Sequence, residues 1–234
     1  MKVLFEFICW LILLAMMICI ATVHADPLKV AVIDTGLDLT DPRLSPHLCL
    51  TGHADTTGDG IKDTHGHGTH VVGLIEKYAK DSDYCLVILK FYGKKGEQNG
   101  VADSGFALRE AINQHVDIIN LSLSGDTGSE AEKNLICGHP EIKFIVAAGN
   151  QGFDLDVTKS YPASYACNNM IVVGAIQHGK EHYSNHGKVV NVLEEGSNIE
   201  STLPDGAYGR MTGTSMATAI HTGKYIYEST HKHP

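Results

Sequence analysis

Leu28-Lys29-Val30-Ala31-Val32-Ile33-Asp34 is a short apolar run that ends in a carboxylate. Its length and β-branched content point to a strand, and its apolar residues fall at successive positions, which points to burial on both faces. Runs of the same kind recur further along, at residues 85–91, 117–123, 142–147 and 170–176. Segments of helical period lie between or beyond them, at 67–80, 104–115, 129–137 and 215–229. Strands alternating with helices imply βαβ units, so an α/β fold is expected, with a mostly parallel sheet flanked by helices. Residues 53–64 and 92–103, rich in glycine and charged or polar residues, read as long loops. Ligands of an open parallel sheet bind beyond the carboxyl ends of its strands, and Asp34, Ser124-Gly125 and Asn150 all fall at such ends.

The chain has 234 residues, enough for one sizeable core, and nothing in it reads as a linker or a repeat. Its formal charge of −9 argues against nucleic acid or an anionic membrane surface as partner, because either needs a basic patch. Residues 1–25 have one early lysine, an almost unbroken apolar run and a small-x-small ending at Val23-His24-Ala25. That is the pattern of a secretory signal peptide, with an uncleaved N-terminal membrane anchor as the alternative. A secreted or periplasmic location is expected, with residues 26–234 as one domain and no stable membrane association once the leader is removed. Export leaves Cys49, Cys85, Cys137 and Cys167, an even set in an oxidising compartment, for which counting alone allows three pairings.

Three polar islands interrupt the apolar pattern. The strand at Leu28 ends in Asp34-Thr35-Gly36, and a carboxylate there can hold an imidazole in one tautomer. His65-Gly66-His67-Gly68-Thr69-His70 opens a helix with a histidine aimed at the sheet edge. Gly213-Thr214-Ser215-Met216-Ala217 places a serine at the start of a helix, where backbone N–H groups favour negative charge. Together these are an orienter, a base and a nucleophile.

In the chain order Asp, His, Ser, the islands resemble the signature blocks of subtilisin-like serine proteases. A fourth block, Ala147-Ala148-Gly149-Asn150-Gln151-Gly152, is similar to the family segment that gives a side-chain amide to the oxyanion hole. Residues 119–125, 161–164 and 171–175 match as well, so the resemblance runs from Lys29 to about Gly223. It implies a three-layer subtilisin-like fold and a serine endopeptidase of broad specificity. Asp34, His67 and Ser215 would form its triad, and Asn150 would be an oxyanion donor. Leu121, Ser122, Leu123, Ser124 and Gly125 would pair with a polypeptide substrate, and Ala147, Ala148 and Gly149 would line the primary pocket with them. The chemistry needs no metal or organic cofactor, and the protein is expected to be a monomer. A non-catalytic peptide-binding protein on the same fold is the alternative, and an esterase or transpeptidase with the same triad is a third reading. If the family strand order holds, Cys49 pairs with Cys85 and Cys137 with Cys167.

Several features depart from the family pattern. No propeptide is expected between the leader and Asp34. The helix after Ser215 lacks the usual proline, and Leu193-Glu194-Glu195-Gly196 replaces a segment that is usually Ala-Pro-Gly. The loop with Asp55, Asp59 and Asp63 spaces its carboxylates in a loose calcium pattern that does not match an EF-hand, leaving structural calcium open against a solvated turn. Arg43 occupies the neighbourhood where many relatives place a calcium-binding aspartate. Asn120-Leu121-Ser122 is formally a glycosylation sequon, but it falls in a core strand, so modification is not expected. His65 and His70 are assigned structural or solvent-facing places, and His53 no role.

Overall fold

The structure, a computed structural model, describes residues 26–92, 101–176 and 183–231; the expected leader lies outside these. Seven strands form one parallel sheet: β1 (Leu28–Asp34), β2 (Ala54–Asp55), β3 (Tyr84–Lys90), β4 (Ile118–Leu121), β5 (Lys143–Ala147), β6 (Met170–Ile176) and β7 (Val192–Glu195). Their spatial order is β2-β3-β1-β4-β5-β6-β7, with every pairing parallel. The other two strands, β8 (Ile199–Thr202) and β9 (Tyr208–Met211), make an antiparallel pair of their own. Among the described residues the α-helices are α1 (His67–Ala79), α2 (Val101–Asn113), α3 (Glu130–Cys137) and α4 (Thr214–His231).

The two-fold alternation of β1 decides how the layers form. Val30 and Val32 point into a core with Val71, Leu74 and Ile75 of α1 and with Met216 and Ile220 of α4. Ala31 and Ile33 point the opposite way, into a core with Leu108 of α2 and Ile136 of α3. Both faces of the sheet are therefore covered, which is why its strands read as continuous apolar runs. This is the three-layer α/β architecture that the sequence implies.

The strand expected over 117–123 stops at Leu121. Beyond that point the chain leaves the sheet, and only Gly125 is paired again, in an isolated antiparallel bridge to Tyr161. Two short strands that the sequence pattern did not reveal, β2 and β7, close the sheet edges.

Cys49 is bonded to Cys85 and Cys137 to Cys167. Leu48 bridges Leu86 in parallel, so the first bond joins neighbouring extended segments. For the second bond, the family strand order would have Cys137 and Cys167 begin neighbouring strands, but Cys137 is the last residue of α3 and Cys167 lies in the turn before β6. That bond ties a covering helix to the sheet.

Candidate active site

β1, β4 and β5 are neighbours in the sheet, and the segments after their carboxyl ends line an open cleft of about 820 Å³ together with the start of α4. The cleft sits where the topology reverses. From β1 the chain crosses to β3 on one side and returns to place β4 on the other, which leaves a crevice between the ends of β1 and β4.

Asp34 closes β1 and is 4% exposed. Its Oδ1 lies 2.7 Å from His67 Nδ1. A carboxylate only accepts, so Nδ1 carries the proton and Nε2 is left as the basic nitrogen. The same oxygen accepts from the Thr35 N–H at 2.7 Å, which fixes the carboxylate from its own strand end.

His67 is the first residue of α1, and the N-cap, Gly66, supplies no side-chain acceptor. Asp63 does that work instead. Its oxygens accept from the N–H groups of His65, Gly66 and Thr69 and from the hydroxyls of Thr35 and Thr69, all at 2.7–3.0 Å. The Gly68 N–H donates to Thr35 Oγ1 at 2.8 Å, and a Cβ on Gly68 would stand 2.2 Å from the Gly36 carbonyl. Only glycine permits that approach of helix start to strand end, and the approach sets the His67–Asp34 distance. Burial alone would push the His67 imidazole down; the Asp34 carboxylate, with Asp63 behind it, outweighs that and raises it above its ordinary value.

Ser215 is the second residue of α4. In this conformation its hydroxyl donates to the Ser122 carbonyl at 2.9 Å, while the Ser122 hydroxyl donates to the Ser215 carbonyl at 3.1 Å. The exchange is backed by buried polar groups. Asn120 Nδ2 donates to Ser122 Oγ at 3.0 Å, and Thr222 Oγ1, two turns along α4, shares its one proton between Asn120 Oδ1 and the Thr218 carbonyl, both at 2.9 Å. Asn120 is 0% exposed, so the sequon's acceptor asparagine is sealed in the core.

Asn150 Oδ1 accepts from the Thr214 N–H at 2.8 Å and from the Thr214 hydroxyl at 3.1 Å. Two donors on that atom fix the orientation of the amide, so Nδ2 is its remaining donor at the cleft lining. Asn185 holds the same turn, taking the N–H groups of Gln151 and Phe153 on Oδ1 and donating from Nδ2 to the Ala148 carbonyl.

Of the residues expected to meet a substrate, Ser122, Leu123, Ser124 and Gly125 line the cleft. Leu121, Ala147 and Ala148 are at most 1% exposed, and Gly149 is buried with them. These four have no surface to offer in this conformation and support the cleft from behind, because β4 and β5 run into the core up to those residues.

His70 is buried, with Nε2 bonded to the Ile199 carbonyl, and burial lowers its pKa. His65 lies edge-on to His67 with ring centroids 6.3 Å apart. His53 accepts from the Ile88 N–H on Nδ1 and donates from Nε2 to the Cys49 carbonyl, clamping its loop to β3.

The aspartate-rich loop does not fit calcium. Asp55 accepts from the Thr57 and Gly60 N–H groups and the Thr57 hydroxyl, Asp59 from the buried Lys90 ammonium at 2.6 Å, and Asp63 is spent on the start of α1. Three carboxylates turned to three sets of protein donors make no oxygen cage. Arg43 is likewise committed, to Asp41.

The supporting roles of Asp63, Thr214, Asn120, Thr222 and Asn185 escaped the reading of the sequence. Asp63, read there as part of a loose calcium pattern, could have been suspected from its place four residues before His67; the others act through partners far away in the chain, which leave no local pattern.

The family model for the subtilase family matches residues 26–225. The chain is 37% identical over 218 residues to the major intracellular serine protease of Bacillus subtilis strain 168, covering 84% of this chain and 66% of that protein. It is 34% identical over 208 residues to a subtilisin of Bacillus pumilus (81% and 72% covered) and to subtilisin E of Bacillus subtilis (81% and 52%). The chain thus spans about half to two thirds of the length of most of these relatives. Among solved structures, a cold-adapted subtilisin-like serine proteinase superposes with a TM-score of 0.73 at 26% identity, over 87% of this chain and 76% of that one.

Proposed function

The chain belongs to the subtilase family, and from that premise we propose that it is a serine endopeptidase in which Asp34, His67 and Ser215 form the catalytic triad. The observation that carries this reading is the 2.7 Å contact of His67 Nδ1 with Asp34, in a cleft that also holds a helix-start serine.

In the proposed reaction the Ser215 side chain turns from the Ser122 carbonyl to His67 Nε2, a contact of the kind that tightens when substrate binds. His67 takes the hydroxyl proton as Oγ adds to the scissile carbonyl carbon. The resulting oxyanion is met by Asn150 Nδ2 and the Ser215 N–H at the positive end of α4. His67 then returns the proton to the leaving amine, and water resolves the acyl-enzyme by the same route. Ser122 to Gly125, unpaired with the sheet, would take up the substrate as an added strand and tolerate many sequences.

Two disulfides favour an oxidising compartment, so we place the protein outside the cytosol, with residues 26–234 as the exported domain. Among the described residues no helix is long and apolar enough to cross a membrane. A polypeptide is the proposed partner, met by a monomer.

A fluorophosphonate label tests the reading. Stoichiometric modification at Ser215, lost in Ser215→Ala, is expected; a folded sample that takes no label would make the chain a peptide-binding relative. Amide turnover well below ester turnover would favour an esterase instead.

A further inference from the structure

Glu132 lies in the first turn of α3 and follows the Ser-x-x-Glu spacing in which a glutamate normally reaches back to the N–H of the capping serine. Half of that arrangement forms, with Ser129 Oγ accepting from the Glu132 N–H at 3.1 Å. The other half is diverted. The Ser129 N–H donates to the Tyr165 hydroxyl at 2.7 Å, and that hydroxyl donates to Glu132 Oε2 at 2.5 Å. Glu132 Oε1 accepts from Ser104 Oγ of α2 at 3.0 Å.

The carboxylate is thereby turned from its own helix end to the lining of the cleft, although the residue is only 6% exposed. Among the described residues no lysine, arginine or histidine pairs with it. The nearest cation in sequence, Lys133, faces Glu130 at 3.8 Å, and Lys159 of the cleft donates to the Leu155 carbonyl. Burial and the Glu132 carboxylate hold the Tyr165 hydroxyl above the ordinary phenol range, so it stays a donor. A buried carboxylate held by two hydroxyls, with no cation paired to it among the described residues, is prepared for a cation from outside. Each oxygen keeps a lone pair beyond its hydroxyl bond.

We propose that Glu132 forms the floor of a specificity subsite that takes a lysine or arginine side chain of the bound polypeptide. The subsite is remote from the bond to be cut: Ser122 abuts Ser215, and the cleft wall runs on through Gly125 to Thr127 before Glu132 is reached. The proposal rests on the endopeptidase reading, and its test separates the two.

Fluorogenic peptides carry lysine or its neutral isostere norleucine at each position in turn around one cleavable bond, and kcat/KM is measured on the full chain. A lysine preference on the order of tenfold is expected at one position away from the scissile bond. The lysine-to-norleucine ratio should fall to near one in Glu132→Gln and persist in Glu130→Gln, an exposed glutamate of the same helix. Tyr165→Phe is the second variant: with the hydroxyl gone, the carboxylate can close on the Ser129 N–H, so the ratio should also fall. Cleavage with no lysine preference at any position, or a preference that survives both variants, overturns the subsite and leaves the endopeptidase reading standing. If nothing is cleaved, equilibrium binding of the same peptides to Ser215→Ala decides. Tighter binding of the lysine peptide then supports the subsite while the protease reading fails, and equal binding overturns the subsite too.

Discussion

His67 has to be neutral to accept the Ser215 proton, and its carboxylate neighbours hold it protonated past the ordinary value of 6.5. The sign follows directly: the base is absent at low pH and appears as pH climbs through the raised value. The acid limb of kcat/KM should therefore have its midpoint above pH 6.5, and a midpoint at or below that value in a pH–rate profile would contradict the Asp34 pairing. Asn150 and Ser215 should differ in kind. By the magnitudes measured on subtilisins, Asn150→Ala should cost on the order of 10²–10³ in kcat. Ser215→Ala should cost on the order of 10⁶. Equal losses in steady-state assays would remove Asn150 from the oxyanion hole.

At the scale of elements, the site depends on polar groups that fasten helix starts and strand ends to one another. Thr222 is fully buried and donates to Asn120, which donates to Ser122, so α4 is fastened to the end of β4 well below Ser215. Thr222→Val keeps the shape but takes the Thr222 donor from the buried Asn120 oxygen. It should lower stability by about 1–3 kcal/mol, read as a shift of the denaturant midpoint at constant slope. A midpoint that stays put would mean that the network is ornamental. The family departures also have a local account. Glu194 of β7 accepts from Lys224 Nζ at 2.6 Å and lies 3.3 Å from His221 Nδ1, so the segment that replaces Ala-Pro-Gly is tied to α4 by charge. Without the usual proline after Ser215, α4 runs from Thr214 to His231.

Across the whole molecule the two disulfides close loops of 36 and 30 residues, one between extended segments and one between α3 and the turn before β6. Each should contribute about 2–4 kcal/mol by restricting the unfolded chain. Denaturant unfolding with and without reductant measures it, and refolding indifferent to reductant would show that the bonds do not assist folding. The sequence determined the layers and the triad candidates, because continuous apolar runs, helical periods and glycine-flanked polar islands are local patterns that burial and backbone geometry write into neighbouring residues. Asp34 and Ser215 stood out as candidates for that reason, as did the strand from Leu28 to Asp34, whereas the choice of His67 among its neighbouring histidines and the role of Asn150 came from the resemblance to subtilisin-like proteases. Only the tertiary structure decided what each polar group faces. It turned Asp63 to the start of α1 rather than to a metal, put Ala147 and Ala148 behind the cleft, and aimed Glu132 into it. Those outcomes depend on partners far apart in the chain, such as Tyr165 and Ser104 on one carboxylate, and such pairings leave no periodic trace in a sequence.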